Sequence, residues 1–285
     1  MKLYLAGSYS RECVVKLYLA STCNVENYVK VYLAGAINGN LQPGYRDKNT
    51  EMGRYVCKNI DRVYLLESFY YIKPWQVKLI PMFKGFMLDS GAFTFMSGNC
   101  GNIDFEQYTK DYADFINKYD IDLFFEIDID SVVPWQQYLD LRKMLEDLTG
   151  KVPIPVFHKN RGKEWFQNAV RKHNYIAIGG IVTGEIKRKE FKILQWFIEE
   201  AHRNDCKIHG LGFTNLKWLP KLRWDSVDSS SWLYGNRSGV IYKFNGSTIT
   251  KHKGQEGARL KPKKAAIHNF NEWVKFSEYM DRAYA

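Results

Sequence analysis

Two aspartates stand where this chain could do chemistry. Asp89 follows Phe86-Met87-Leu88 and opens Ser90-Gly91-Ala92-Phe93, and Asp228 closes Trp224-Asp225-Ser226-Val227 before Ser229-Ser230. Each follows a short apolar run of the kind that forms a strand covered on both faces, so each is expected at a strand's C-terminal end. Paired carboxylates suit substitution at a sugar carbon. One attacks the anomeric centre while the other gives and takes a proton, as in retaining glycosyl transfer through a covalent intermediate. Carboxylates with histidine also bind divalent ions, which makes metal-assisted chemistry the rival use. No HxH pair follows a strand, so no metal ligand is assigned.

Four more apolar runs finish in the same way. Leu123–Ile127 ends on Asp128, Ile154–Phe157 on His158, Ile176–Ile178 on Gly179-Gly180, and Lys207-Ile208 on His209. A lone aspartate in such a position is usually a helix cap or loop residue; the succession points instead to a common rim. Asp130 and Asp225 read as caps or as groups that orient neighbours. The stretch Gly179-Gly180-Ile181-Val182-Thr183-Gly184-Glu185 lets a backbone approach a planar ligand and expose its amides. It lacks the GxxxxGK[ST] pattern of a phosphate loop. Phe93 is core by default, with stacking on a base as its functional alternative.

The elements that would position these groups alternate along the chain. Val63–Leu66, Phe86–Leu88, Leu123–Ile127, Ile154–Phe157, Ile176–Ile178, Lys207-Ile208 and Ser226-Val227 read as strands. Between them, Phe105/Tyr108/Tyr112/Phe115/Tyr119, Tyr138/Leu141/Leu145/Leu148 and Phe191/Leu194/Ile198/Ala201 recur at helical spacing and read as core stripes. The motif Lys-Leu/Val-Tyr-Leu-Ala recurs from Lys2, Lys16 and Lys30 at a spacing of 14 residues and then stops. A solenoid needs its repeats to continue, so this is a local duplication with at least one copy serving as a strand. The resulting count is that of a (β/α)8 TIM-like barrel, whose chemistry gathers at the C-terminal ends of its strands. A doubly wound open sheet is the alternative, disfavoured because no GxGxxG opens a helix after the first strand. Residues 1–240 are assigned to the barrel. Residues 241–285 are assigned to a basic segment and a C-terminal helix, around Ile267, Phe270, Trp273, Val274 and Tyr279, packed on it.

The totals bound the function. The chain has 285 residues, 45% of them hydrophobic, and 41 Lys+Arg against 31 Asp+Glu give a net charge of +10. A basic balance favours a polyanionic partner. No apolar run reaches the roughly 18 residues of a membrane span, and without a basic stretch followed by a long apolar one at the N-terminus no secretory signal is expected. Five scattered cysteines form no CxxC pair, which fits a reducing cytoplasm.

From Phe86 to Gly239 the ordered motifs resemble the tRNA-guanine transglycosylase superfamily. Asp89-Ser90-Gly91-Ala92-Phe93 resembles its DSGGF motif, which implies Asp89 as general acid/base, Ser90 at the base and Phe93 stacked on it. Asp122 to Asp128 resembles the strand whose final aspartate reads the pyrimidine edge of the base. His158 falls where the family has a Gln against the purine carbonyl. Gly179 to Glu185 resembles GGLAVGE, which implies base-binding backbone at Gly179, Gly180 and Ile181. His209-Gly210-Leu211-Gly212 resembles MGVG, which puts His209 and Gly210 under the base. Asp225-Ser226-Val227-Asp228 resembles DMFD, whose second aspartate is the nucleophile, here Asp228.

The departures bear on substrate. The family's CxCxxC…H zinc site is missing, and its LPTRxxR stretch is replaced by Trp232 to Gly239, with only Arg237-Ser238-Gly239 in common. The chain in this respect resembles the DNA-acting, DpdA-like 7-deazaguanine transglycosylases of phages and bacterial islands. The resemblance implies exchange of guanine in DNA for a free 7-deazaguanine base, without a cofactor, in the cytoplasm (the host's, for a phage protein). Arg237, Lys243, Lys261, Lys263 and Lys264 are the expected phosphate contacts. A tRNA enzyme without the zinc module and a non-catalytic nucleic-acid-binding barrel are the alternatives.

Overall fold

The computed structural model describes residues 16–21, 60–72, 77–78, 80–92, 94, 103–213, 215–229, 231, 240–253 and 262–283, for 16–21 and parts of 262–283 the backbone alone. The fold is mixed α/β. Its centre is a seven-stranded parallel sheet of β1 (Lys16–Ser21), β2 (Tyr64–Ser68), β3 (Gly85–Asp89), β4 (Val156–Phe157), β5 (Tyr175–Ile178), β6 (Lys207–Gly210) and β7 (Ser226–Ser229), in the order β3-β2-β1-β7-β6-β5-β4. The second copy of the N-terminal near-repeat is therefore a strand, paired with β2 on one side and β7 on the other. The first and third copies lie outside the described residues.

The expected strand Leu123–Ile127 is reduced to two bridges, Leu88↔Phe124 and Phe125↔Ile154, both parallel. These bridges bind the segment to both ends of the sheet order. Phe125 N–H donates to Leu88 O at 3.0 Å on the β3 side, and Ile154 N–H donates to Phe124 O at 2.8 Å on the β4 side. The expected strand 154–157 is likewise cut to two residues at Pro155. Proline has no N–H for a ladder, but its carbonyl still accepts from Ala177 at 2.8 Å.

The intervening helices are α1 (Phe105–Lys118), α2 (Trp135–Thr149), α3 (Gly162–Lys172) and α4 (Lys192–Arg203). Asp104 caps α1 by accepting from Gln107 N–H, and Gly150 ends α2 in the left-handed region. The helical stripes are buried or half-buried as expected except at the ends of the first two, where Tyr119 and Leu148 are 37% and 45% exposed.

Apolar burial falls into distinct layers. One cluster unites Leu88 and Phe124 with Tyr112, Ile116, Leu141 and Leu145 of α1 and α2. A second holds Tyr64, Leu66, Met87, Phe125, Ile154, Val156 and Ala177, which belong to strands and the bridging segments alone. The largest cluster packs α3, α4 and β5–β7 together with Val240, Tyr242, Ile249, Phe270, Trp273, Phe276 and Met280.

That last membership brings the C-terminal segment into the main core. Residues 240–253 form an antiparallel hairpin, β8 (Val240–Phe244) and β9 (Ile249–Lys253), against α5 (Pro262–Ala283). The turn is held by Asn245, whose Oδ1 accepts from Ser247 and Thr248 N–H, with Gly246 at φ +99°. Asn269 Oδ1 accepts from Tyr242 N–H, and Glu272 Oε2 accepts from Phe244 N–H. The hairpin went unread in the sequence, where its lysines masked the Asn-Gly turn signal. Among the described residues no helix is long and apolar enough to cross a membrane.

Candidate active site

Asp89 and Asp228 occupy the C-terminal halves of β3 and β7, and Asp228 is in register with Tyr18 of the strand between β7 and β2. Their surroundings differ. Asp89 Oδ2 accepts from Gly91 N–H at 3.0 Å. Enclosure of its carboxyl, reinforced by the charges of Asp228 and Asp128, outweighs that bond and raises its pKa from 3.8 to about 6. These mutual influences bring the three carboxylates into one electrostatic neighbourhood. Tyr112 lies beneath, its hydroxyl donating to the carbonyls of Leu88 and Phe125.

Asp228 is buried. Its Oδ1 accepts from Gly212 N–H at 2.5 Å and lies 3.3 Å from His209 Nε2. His209, fully buried on β6, reaches Ser226 Oγ with Nδ1 at 2.5 Å, and Ser226 Oγ reaches the Tyr175 hydroxyl at 2.5 Å. The ring of His209 packs against Phe125 at 5.3 Å. His209 thus stands behind the carboxylate, in a place where the resemblance implied a residue under the base. Gly210 is also committed to packing. A Cβ there would lie 3.0 Å from Phe213 and 3.3 Å from Trp224.

A second cluster sits along the same rim. Asp128 has both oxygens engaged, Oδ2 by His158 Nε2 at 2.7 Å and Oδ1 by Arg161 at 3.2 Å. The other nitrogen of His158 meets Glu185 Oε2 at 2.9 Å. Burial alone would lower the pKa of His158, but the two carboxylates override it and raise the value to about 9, so the ring is a cation at neutral pH. Arg161 also bonds Asp130 and Glu126 and lies against the rings of Trp135, Tyr138 and Trp165. The glycines are required by this packing. A Cβ at Gly179 would stand 2.8 Å from the His158 ring, and at Gly180, whose φ is +73°, it would run into Glu185.

The sequence-predicted residues therefore separate. Asp89, Asp128, His158, Gly179, Gly180, His209 and Asp228 gather at the strand ends. Ser90 is buried, its carbonyl accepting from Tyr108. Ile181 borders a cleft of about 820 Å³ that is also lined by Gly212, whose N–H bonds Asp228. Lys187, Arg188, Lys217 and Lys251 line the same cleft. Lys243 is exposed on β8. The side chains of Phe93, Arg237, Lys261, Lys263 and Lys264 lie outside the described residues. Asp225 is turned away to His202 and Ile208 N–H, consistent with an orienting role.

No known family and no curated protein matches the chain. The geometry therefore carries the functional argument. Arg161, Glu185, Ser226, Tyr175 and Gly212 were not singled out from the sequence. Arg161 had one usable signal, three residues beyond the strand-ending His158; Tyr175, at the start of its strand, had none.

Proposed function

We propose that the chain is a DNA base-exchange transglycosylase on a (β/α)8 barrel, replacing guanine by a 7-deazaguanine through a covalent aspartyl-nucleotide intermediate. The observation that carries this reading is the meeting of Asp89 and Asp228 in contrasting settings: one carboxyl favours its proton up to about pH 6, and the other is held on one oxygen by Gly212 and His209. Two carboxylates in unlike environments fit an acid/base and a nucleophile. The barrel is supported by segment 123–126, bonded to both outer strands of the sheet order. The cluster built from strand residues alone also supports it, since a parallel barrel fills its interior with strand side chains.

In the first half-reaction an oxygen of Asp228 attacks C1′, the bond from C1′ to guanine N9 breaks, and Asp89 gives its proton to the departing base. In the second, N9 of the incoming base loses its proton to Asp89 and displaces Asp228 from C1′. Two inversions retain configuration, and the proton on Asp89 is restored. Asp128, with about four lone-pair sites on its carboxylate, can accept from guanine N–H groups beside Arg161 and His158. The cations of the cleft and the net charge of +10 suit a phosphodiester backbone and would offset the few kcal/mol, in order of magnitude, needed to unstack the base.

Mass spectrometry of nucleosides from DNA and tRNA of cells that express the protein, supplied with 7-deazaguanine bases, tests this reading. A 7-deazaguanine deoxynucleoside in DNA, absent with an Asp228→Ala variant, is the expected result. Modified tRNA with unmodified DNA would transfer the activity to RNA, and no modification of either would overturn it.

A further inference from the structure

Three side chains behind Asp228 have no part in the steps written above. Tyr175, His209 and Ser226 come from the adjacent strands β5, β6 and β7, and His209 is in register with Ser226. Residues in register on neighbouring parallel strands share a sheet face, as do residues two apart on one strand. Ser226, Asp228 and His209 therefore project to one side, and the long Tyr175 side chain, from the same side of β5, reaches Ser226.

We propose that Tyr175, Ser226 and His209 form a directional hydrogen-bond relay that positions Asp228 for attack, with His209 in its Nε2–H tautomer. This rests on the reading of Asp228 as nucleophile. A carboxylate only accepts, so the bond from Asp228 Oδ1 to His209 requires the proton on Nε2. Nδ1 then carries the lone pair and accepts from the hydroxyl of Ser226. With its proton so used, Ser226 Oγ accepts from Tyr175. With one proton on the ring, these three bonds have a single direction, each donating toward the carboxylate.

The consequence is chemical. His209 and Gly212 both hold Oδ1, which fixes carboxylate rotation and leaves Oδ2 for C1′. The donor is a neutral imidazole. A cation in its place would stabilise the free carboxylate over the uncharged ester that the attack forms, because charge-assisted bonds are roughly twice as strong, and interactions stronger in the ground state do not speed the step. His209 and Ser226 are thus positioning residues, acting through Asp228.

The full-length protein, ¹⁵N-labelled, gives a direct test. Long-range ¹H–¹⁵N spectra of the histidine rings, with His209 assigned by its loss in His209→Gln, should show Nε2 protonated and Nδ1 bare. In Asp228→Ala, where Nε2–H loses its acceptor and Ser226 Oγ can accept from Nδ1–H, the other tautomer should become populated. A doubly protonated or Nδ1–H ring in the wild-type protein overturns the relay. Single-turnover trapping of the adduct on a guanine-containing DNA duplex supplies the second reading. His209→Leu should slow adduct formation about 100-fold, the scale of a reacting group misplaced by about 1 Å, with DNA affinity unchanged. His209→Gln, which keeps an N–H donor, should recover most of the rate. Wild-type rates in both variants overturn the positioning role. Absence of any adduct in the wild type overturns the nucleophile, while the ring spectrum judges the relay independently.

Discussion

The carboxylates along this rim live under two regimes. Around Arg161, four acidic groups are ion-paired: Glu126, Asp128 and Asp130 bond the guanidinium, and Asp128 and Glu185 hold His158. Among the described residues no such compensation surrounds Asp89 and Asp228. Asp89 has a backbone amide, the Ser68 hydroxyl and the charges of two other aspartates, and Asp228 has an amide and an imidazole. The difference separates shape from reactivity. An ion-paired carboxylate is held in place, and its charge is already satisfied by its partners; one enclosed without a cation keeps a high-energy charge or a proton to give. Such sites lower stability in exchange for chemistry.

The largest expected effect falls on the uncompensated pair. Asp228→Ala should abolish adduct formation and exchange, since Asp225 faces His202 and cannot substitute. Covalent trapping on a DNA duplex checks this, and an adduct in the variant would remove Asp228 from the mechanism.

Asp89→Asn should slow base departure by about 10²–10⁴-fold, the usual contribution of a positioned acid or base. In the wild type the first half-reaction should fall as pH rises through about 6, where Asp89 loses its proton, and the variant should lose that dependence. Stability should move the other way. Folding raises this carboxyl from 3.8 to about 6, so its contribution is complete below about pH 4 and is lost as pH rises through about 6. Asn removes that loss. The variant should be more stable than wild type at pH 7.5, by on the order of 1–3 kcal/mol, and equal to it near pH 4. Equal denaturation midpoints at both pH values would show that Asp89 is not strained.

The compensated cluster should respond in the opposite sense. Arg161→Leu takes a cation from three carboxylates, leaving the fully buried Glu126 to Arg142 and Asp128 to His158. It should cost about 3–5 kcal/mol, typical of removing one partner from a buried pair. A urea midpoint that does not move would place the cluster in solvent.

Smallest and most general is the effect of the cleft. Replacing Lys187, Arg188 and Lys217 with Ala should weaken all DNA sequences about equally, because phosphate contacts position without specifying. It should also flatten the log–log salt dependence by about 0.9 for each duplex phosphate that is no longer neutralised. The same measurement on Lys261, Lys263 and Lys264 ranks the two basic regions, and an unchanged slope in both would exclude them as the backbone seat.

The sequence by itself determined which residues end strands. An apolar run closed by a polar residue is a local pattern, and Asp89, Asp128, His158, His209 and Asp228 were all legible through it. So were α1, α2 and α4, whose stripes follow from the 3.6-residue period, and the C-terminal helix; α3 was not read. The pattern carries no information about what a side chain meets across space. That Asp128 is locked by Arg161, that His209 backs Asp228 and is itself bonded to Ser226, and that Gly210 serves Trp224 all depend on segments apart in the chain coming together. The partner of each buried polar group is set by that meeting, and register is fixed by the packing of the assembled core. The same holds for the near-repeat at the N-terminus. Three copies offer almost the same strand, and it is the pairing with β2 and β7 that makes Lys16–Ser21 one.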